Sequence, residues 1–134
     1  MKVHYKKSAS LTFRGFSVNP ETIQSLVGVQ AKLLGLQGSP MRPGRPNLWQ
    51  RSVAKFEVEF TENFPISEML PSLFEHIGGI EHLCSIREKI SPDFFEIDMV
   101  LPVKSSNEQV DGFITTETLA DLYRLQSTLG FSFV

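Results

Sequence analysis

The sequence contains little of what most protein chemistry depends on. There is one cysteine, Cys84, so the chain cannot form an internal disulfide or a cysteine-based metal cluster. No apolar run approaches the roughly 20 residues of a membrane-spanning helix, and the first residues lack the apolar stretch of a signal peptide. We therefore expect a soluble, cytoplasmic protein with no membrane partner.

The chain also lacks a strong net charge and the motifs of common cofactor sites. Its formal charge is -2, which provides no overall attraction to nucleic acid or to an anionic membrane. No zinc-binding spacing of the H-E-x-x-H type occurs. We therefore predict no nucleic-acid partner, no metal and no cofactor.

What the chain does contain is typical of a globular domain. Its 134 residues are 41% hydrophobic, which suits one domain spanning residues 1–134. Eleven phenylalanines against two tyrosines and one tryptophan indicate aromatic rings used mainly to fill a core.

Four segments alternate apolar and polar residues, which predicts strands with one buried face. These strands lie at about 9–13, 54–60, 95–103 and 131–133. The alternation is clearest in the third strand, where Glu96 and Asp98 interrupt a run of apolar residues.

Helical spacing predicts four helices between these strands. Asn19 and Pro20 indicate the start of the first helix, and its apolar pattern allows an end at Gly28 or at about Leu34. The second helix should begin near Ser67, because Pro71 is tolerated only in a first turn.

The third and fourth helices are separated by a strand and by a polar loop at 104–112. The third follows a Gly-Gly break and ends before Pro92. The fourth begins at Thr115 or Thr116, ends at Gly130 and is predicted to bury four leucines: Leu119, Leu122, Leu125 and Leu129.

This order of elements predicts the fold class. Strands with one polar face, interspersed with helices, indicate an α+β fold. We expect a single sheet of about four strands, mainly antiparallel or mixed, with the helices on one face. A ferredoxin-like arrangement is the favoured topology, with a long Gly/Pro/Arg loop at about 35–48.

Three segments carry a likeness to a known family. They are LTFRGFSVNPETIQSLVGV, the tryptophan segment NLWQRS and the final GFITTETLADLYRLQSTLGFSFV. Together they resemble a bacterial family classified only as a domain of unknown function, the four-two-seven-nine family. The family pattern has a tryptophan directly followed by a serine, whereas in this chain Gln50 and Arg51 separate Trp49 from Ser52. The resemblance implies the fold and leaves the activity open, although some members look like immunity proteins that neutralise toxins.

Four carboxylates are candidates for a partner-binding surface: Glu57, Glu59, Glu96 and Asp98. Each pair shares one face of its strand, so neighbouring strands would place all four on the open side of the sheet. That face could be simply solvated, could dock a basic protein partner, or could perform acid-base chemistry.

The segment GSPMRPGRPNLWQRS, at 38–52, provides candidates for ligand binding: Arg42, Arg45, Trp49 and Arg51. Its prolines remove N–H donors and a strand follows it, which excludes a phosphate-binding loop that leads into a helix. Trp49 is predicted to fasten this loop to the sheet or the helices.

The candidates for catalysis are weak. Cys84 lies beside an apolar helical stripe and is best interpreted as a buried small side chain. The histidines are His4, His76 and His82, of which the last two flank the Gly-Gly break beside Glu75 and Glu81 and would form at most a loose metal site. We therefore predict a non-enzymatic interaction domain, immunity-like and bound to a protein partner. The alternatives are a protein that binds a small anion or a metal, or a weak enzyme, with a pocket near Trp49 and Arg51, and a homodimer paired through a sheet edge.

Overall fold

Five strands and four helices make up the part of the chain that the structure describes. The structure is a computed structural model and describes residues 5–104 and 111–134. His4 and residues 105–110 of the predicted polar loop lie outside these ranges. In chain order the elements are β1 (Lys7–Arg14), α1 (Pro20–Val27), β2 (Leu33–Gly35), β3 (Val53–Phe60), α2 (Ile66–His76), α3 (Ile80–Ile90), β4 (Phe94–Leu101), α4 (Thr116–Leu125) and β5 (Thr128–Phe133).

The strands form one mixed sheet with the order β2-β3-β1-β4-β5. The central strand β1 pairs antiparallel with β3 and β4, and β2 pairs antiparallel with β3. The outer strand β5 runs parallel to β4, because α4 carries the chain back to the end of the sheet where β4 began. The predicted α+β class is confirmed.

The finer topology differs from the prediction. The sheet has five strands rather than about four, because β2 is only three residues long and too short to show an alternating pattern. The parallel pair of β4 and β5 does not match the ferredoxin-like arrangement, which is not confirmed. The strand predicted at 95–103 ends at Leu101, directly before Pro102.

One face of the sheet carries the core. Leu11 pairs with Phe56 on one side and Ile97 on the other, and all three side chains are fully buried. Phe13 makes edge-to-face contacts with Phe56 and Phe95 at centroid distances of 6.2 and 5.0 Å. The helices pack against this face, and α2 supplies four buried side chains to the cluster: Met69, Leu70, Leu73 and Phe74.

Helix α1 begins and ends where local chemistry allows. The Asn19 side chain accepts a hydrogen bond from the backbone N–H of Glu21 at 2.9 Å, and Pro20 is the first helical residue. Gly28 ends the helix in the left-handed conformation with φ of 91°. Of the two predicted ends, the one at Gly28 is therefore correct, and Leu34 belongs to β2.

Three details predicted for the other helices are wrong. Helix α2 begins at Ile66, close to the predicted start near Ser67, but Pro71 lies inside the helix, beyond its first turn. In α4 the buried residues are Thr118, Leu122 and Leu125, whereas Leu119 is 50% exposed. The helix ends at Leu125 rather than Gly130, so that Leu129 and Gly130 belong to β5.

None of the helices within residues 5–104 and 111–134 is long and apolar enough to cross a membrane.

Candidate functional site

Two neighbouring clefts open at one end of the sheet. Because β1 is antiparallel to β3 and β4, its last residue lies beside the first residues of those strands, and β5 begins at the same end. The larger cleft has a volume of about 750 Å³, and we call it the polar cleft. The smaller has a volume of about 430 Å³, and we call it the arginine cleft. The polar cleft is defined by Ser17, Gln37, Gln50, Arg51, Ser91 and Asp93. The arginine cleft is defined by Arg14, Arg51, Arg87, Asp93, Phe94 and Glu96.

Three arginines from separate parts of the chain meet at the arginine cleft, namely Arg14 of β1, Arg51 shortly before β3 and Arg87 of α3. The Arg51 guanidinium lies 5.1 Å from the centre of the Phe94 ring, and the Arg87 guanidinium lies 5.6 Å from that of Phe95. The Nε of Arg14 donates to Glu96 Oε1 at 3.0 Å. Cation–π contacts therefore hold two of the arginines, and an ion pair holds the third.

Arg87 also carries an unsatisfied donor. Its Nε is buried and has no hydrogen-bond partner among the residues that the structure describes. The hydroxyl of Ser127 is also buried without a partner, and its neighbours Gln126 and Thr128 both line the arginine cleft. A buried polar group without a partner costs about 1–3 kcal/mol, so such groups are uncommon in folded proteins.

Asp93 joins the two clefts, since it lines both of them together with Arg51. The backbone N–H of Asp93 donates to the carbonyl of Gly15 at 2.9 Å, and the Asp93 carboxylate lies where a Cβ at Gly15 would stand. Gly15 has φ of 78°, so both its conformation and this close approach require glycine. The end of β1 thus positions the Asp93 carboxylate between the two clefts.

The charges at this end of the sheet are only partly paired. Arg14 is paired with Glu96, but Arg51, Arg87 and Asp93 take part in no ion pair within the described ranges. Two guanidinium groups can bind an anion, and a carboxylate can accept hydrogen bonds from a ligand. The described residues that line the clefts include no histidine or cysteine.

The structure places the four predicted ligand residues in different parts of the molecule. Pairing between Pro40 and Leu48 makes a hairpin of residues 38–49, with Arg42 and Arg45 exposed at its turn. Arg51 alone of the four predicted residues lines the clefts, whereas Arg42 and Arg45 lie away from them on the hairpin.

Trp49 lies where the sequence predicts an anchor. Its indole ring covers Gly35 in β2, where an added Cβ would lie 2.5 Å from the ring atom Cε2. The backbone N–H of Trp49 donates to the Ser39 carbonyl, and its carbonyl accepts from the N–H of Gly38, both at 2.9 Å. The 38–49 hairpin is therefore fastened to the edge of the sheet rather than to the helices.

The four predicted carboxylates do share the face of the sheet opposite the core, but their strands are not neighbours. Ser10 of β1 pairs with Glu57 on one side and with Asp98 on the other. Since adjacent strands lie about 4.8 Å apart, these two carboxylates belong to strands separated by about 10 Å. Glu59 and Glu96 pair with Ser8 and Thr12 of the same central strand.

Basic side chains neutralise part of this face. Glu57 lies 3.8 Å from both Lys32 and Lys55, and Glu96 is paired with Arg14. Burial raises the pKa of Asp98, with a further contribution from the nearby Glu96. The face is therefore mixed in charge, and its role in docking a partner stays a prediction.

The histidines at the Gly-Gly break have a structural setting. A ring nitrogen of His82 lies 3.2 Å from the carbonyl of Val27 at the end of α1, and its ring covers Gly78. In the residues that the structure describes, no group of three or more histidine, cysteine, aspartate and glutamate side chains could hold a metal ion. Cys84 is partly buried against the core.

Sequence reasoning missed Arg14, Arg87, Asp93 and Phe94 as site residues. No local motif joins them, because they come from β1, α3 and the start of β4. The available signal was the position of Arg14, directly after the first predicted strand.

Comparison with known proteins found no protein-family model, no curated protein and no solved structure that matches the chain. The resemblance to the four-two-seven-nine family therefore stays a prediction.

Proposed function

We propose that this protein binds a small anionic ligand in the arginine cleft and is not an enzyme. The observation that carries the proposal is that Arg51 and Arg87 line the same cleft and that neither takes part in an ion pair within the described residues. A ligand with negatively charged oxygens would accept charge-assisted hydrogen bonds from the guanidinium N–H groups that face the cleft.

The geometry of the arginines supports this proposal. Arg51 lies over the Phe94 ring and Arg87 over the Phe95 ring, and each contact limits the motion of its guanidinium group before a ligand arrives. Guanidinium groups bind planar carboxylates and phosphates through paired N–H donors. Less conformational entropy is lost on binding when these groups are already oriented.

A thermal-shift and calorimetric titration with phosphate, sulfate and citrate tests the proposal. We expect at least one of these anions to raise the melting temperature of the protein, because a ligand that binds only the folded state stabilises it. Arg87→Gln should weaken that anion's binding by about tenfold or more.

Arg45→Gln provides the matched control. It removes the same charge from the turn of the 38–49 hairpin, away from the clefts, and should leave the affinity unchanged. No binding of any of the three anions, or equal weakening by the two variants, would refute the proposed site.

A second candidate is the predicted immunity-like docking of a basic protein through the face opposite the core. Two observations favour this docking hypothesis. Glu59 is exposed, and Asp98 takes part in no ion pair within the described residues. Reversal of Glu59 and Asp98 to lysine should abolish capture of a basic partner. Capture that survives this double reversal would remove the docking hypothesis.

A further inference from the structure

The two clefts differ in chemistry although they share Arg51 and Asp93. Around the polar cleft, the remaining polar side chains are neutral: Ser17, Gln37, Gln50 and Ser91. Amides and hydroxyls both donate and accept hydrogen bonds, so they suit a neutral polar group. The arginine cleft has the charges that an anionic group requires.

The polar cleft leaves room for a ligand larger than a simple ion. The polar cleft alone measures about 750 Å³, which falls in the range of pockets for small organic ligands. A free phosphate in the arginine cleft would leave this larger space filled only with water.

From these observations we infer that the ligand is a hydroxylated anion, namely a sugar phosphate or sugar acid. Its anionic group binds Arg51 and Arg87, and its hydroxyl groups bind Asp93 and the two glutamines of the polar cleft. This inference rests on the proposed anion site, since it adds the body of the ligand to the group that the arginines hold.

Asp93 is the main argument for hydroxyl groups. Its carboxylate lies between the clefts, is fixed by the approach to Gly15, and has no ion-pair partner among the described residues. A carboxylate accepts hydrogen bonds only, so ligand hydroxyl groups at this exposed side chain would take the place of water as donors. Adjacent hydroxyls of a sugar supply two such donors next to a phosphate or carboxylate.

Isothermal titration calorimetry tests this inference with inorganic phosphate, glucose 6-phosphate, ribose 5-phosphate, gluconate and glutamate. We expect one or more of the hydroxylated anions to bind at least about tenfold more tightly than inorganic phosphate. Glutamate, whose ammonium group could pair with Asp93, represents the competing class of zwitterionic ligands.

The double variant Gln37→Ala/Gln50→Ala separates this inference from the proposed function. Both glutamines are exposed, so the variant should fold, as circular dichroism can verify. It should remove the advantage of the hydroxylated anion and leave the affinity for phosphate unchanged, whereas Arg87→Gln should weaken both.

Two results would overturn the inference while the anion site stands. In the first, phosphate binds and no hydroxylated anion binds more than about threefold more tightly. In the second, glutamate is the tightest ligand, or the double glutamine variant retains the full advantage of the sugar anion. If no anion binds at all, the proposed function itself fails.

Discussion

Replacement of Arg87 by methionine distinguishes a ligand-binding arginine from a structural one. Methionine keeps an unbranched apolar side chain against Phe95 and removes both the charge and the buried Nε that has no partner. If Arg87 serves a ligand, its removal should cost the empty protein nothing.

The expected change in the free energy of unfolding follows from two opposing contributions. The unsatisfied buried donor costs about 1–3 kcal/mol, and its removal returns that amount to the folded state. Loss of the cation–π contact with Phe95 costs about 0.5–1 kcal/mol. We therefore expect Arg87→Met to leave the free energy of unfolding unchanged or to raise it by up to about 2 kcal/mol, while anion binding is lost.

Urea denaturation followed by circular dichroism and Trp49 fluorescence measures this free energy. Arg14→Met is the matched control, because it breaks the half-exposed ion pair with Glu96 and should lower stability by about 0–1 kcal/mol. The reasoning is refuted if Arg87→Met lowers the free energy of unfolding by more than about 1 kcal/mol, since the arginine would then be structural.

Three further predictions concern other parts of the molecule. Gly35→Ala should destabilise the protein by about 1–3 kcal/mol, because the added Cβ would displace the indole ring of Trp49. The Trp49 fluorescence should shift to the red as the ring becomes more exposed, and an unchanged spectrum would contradict the anchoring role. The pKa of Asp98 is raised in the folded state, so ionisation of Asp98 lowers the stability of the protein. Asp98→Asn should therefore raise the melting temperature at pH 7, and this gain should disappear below the ordinary pKa of aspartate. An equal gain at low pH would show that the gain has another cause. The edge strand β5 contains no charged residue and no proline, and it exposes the stacked rings of Phe131 and Phe133. Light scattering should therefore detect self-association, and Phe133→Lys should abolish it. A monomer at all concentrations would refute the predicted homodimer.

Elements specified by neighbouring residues could be predicted from the sequence. The alternation around Leu11, Phe56 and Ile97 identified three strands, because side chains of a strand point alternately to opposite faces. Asn19 and Pro20 identified the start of α1, because a cap acts within a few residues of itself. The role of Trp49 as an anchor followed from its size and from the absence of other large rings in its loop.

Features that depend on pairing could not be predicted in this way. Leu119 fits the predicted stripe of α4 but is half exposed, because the helix turns the side of Thr118, Leu122 and Leu125 towards the core. The parallel pairing of β5 with β4 depends on the direction in which α4 returns, which no local pattern contains.

The sequence by itself determined the α+β class, the polar and apolar faces of the strands, and the presence of arginines beside Trp49. Only the tertiary structure decided which arginines share a site. Arg14, Arg51 and Arg87 are far apart in the chain and meet because β1 pairs antiparallel with both β3 and β4, while α3 leads directly into β4. Strand pairing over such separations follows from the burial of the whole sheet, so the binding site became visible only when the sheet was assembled.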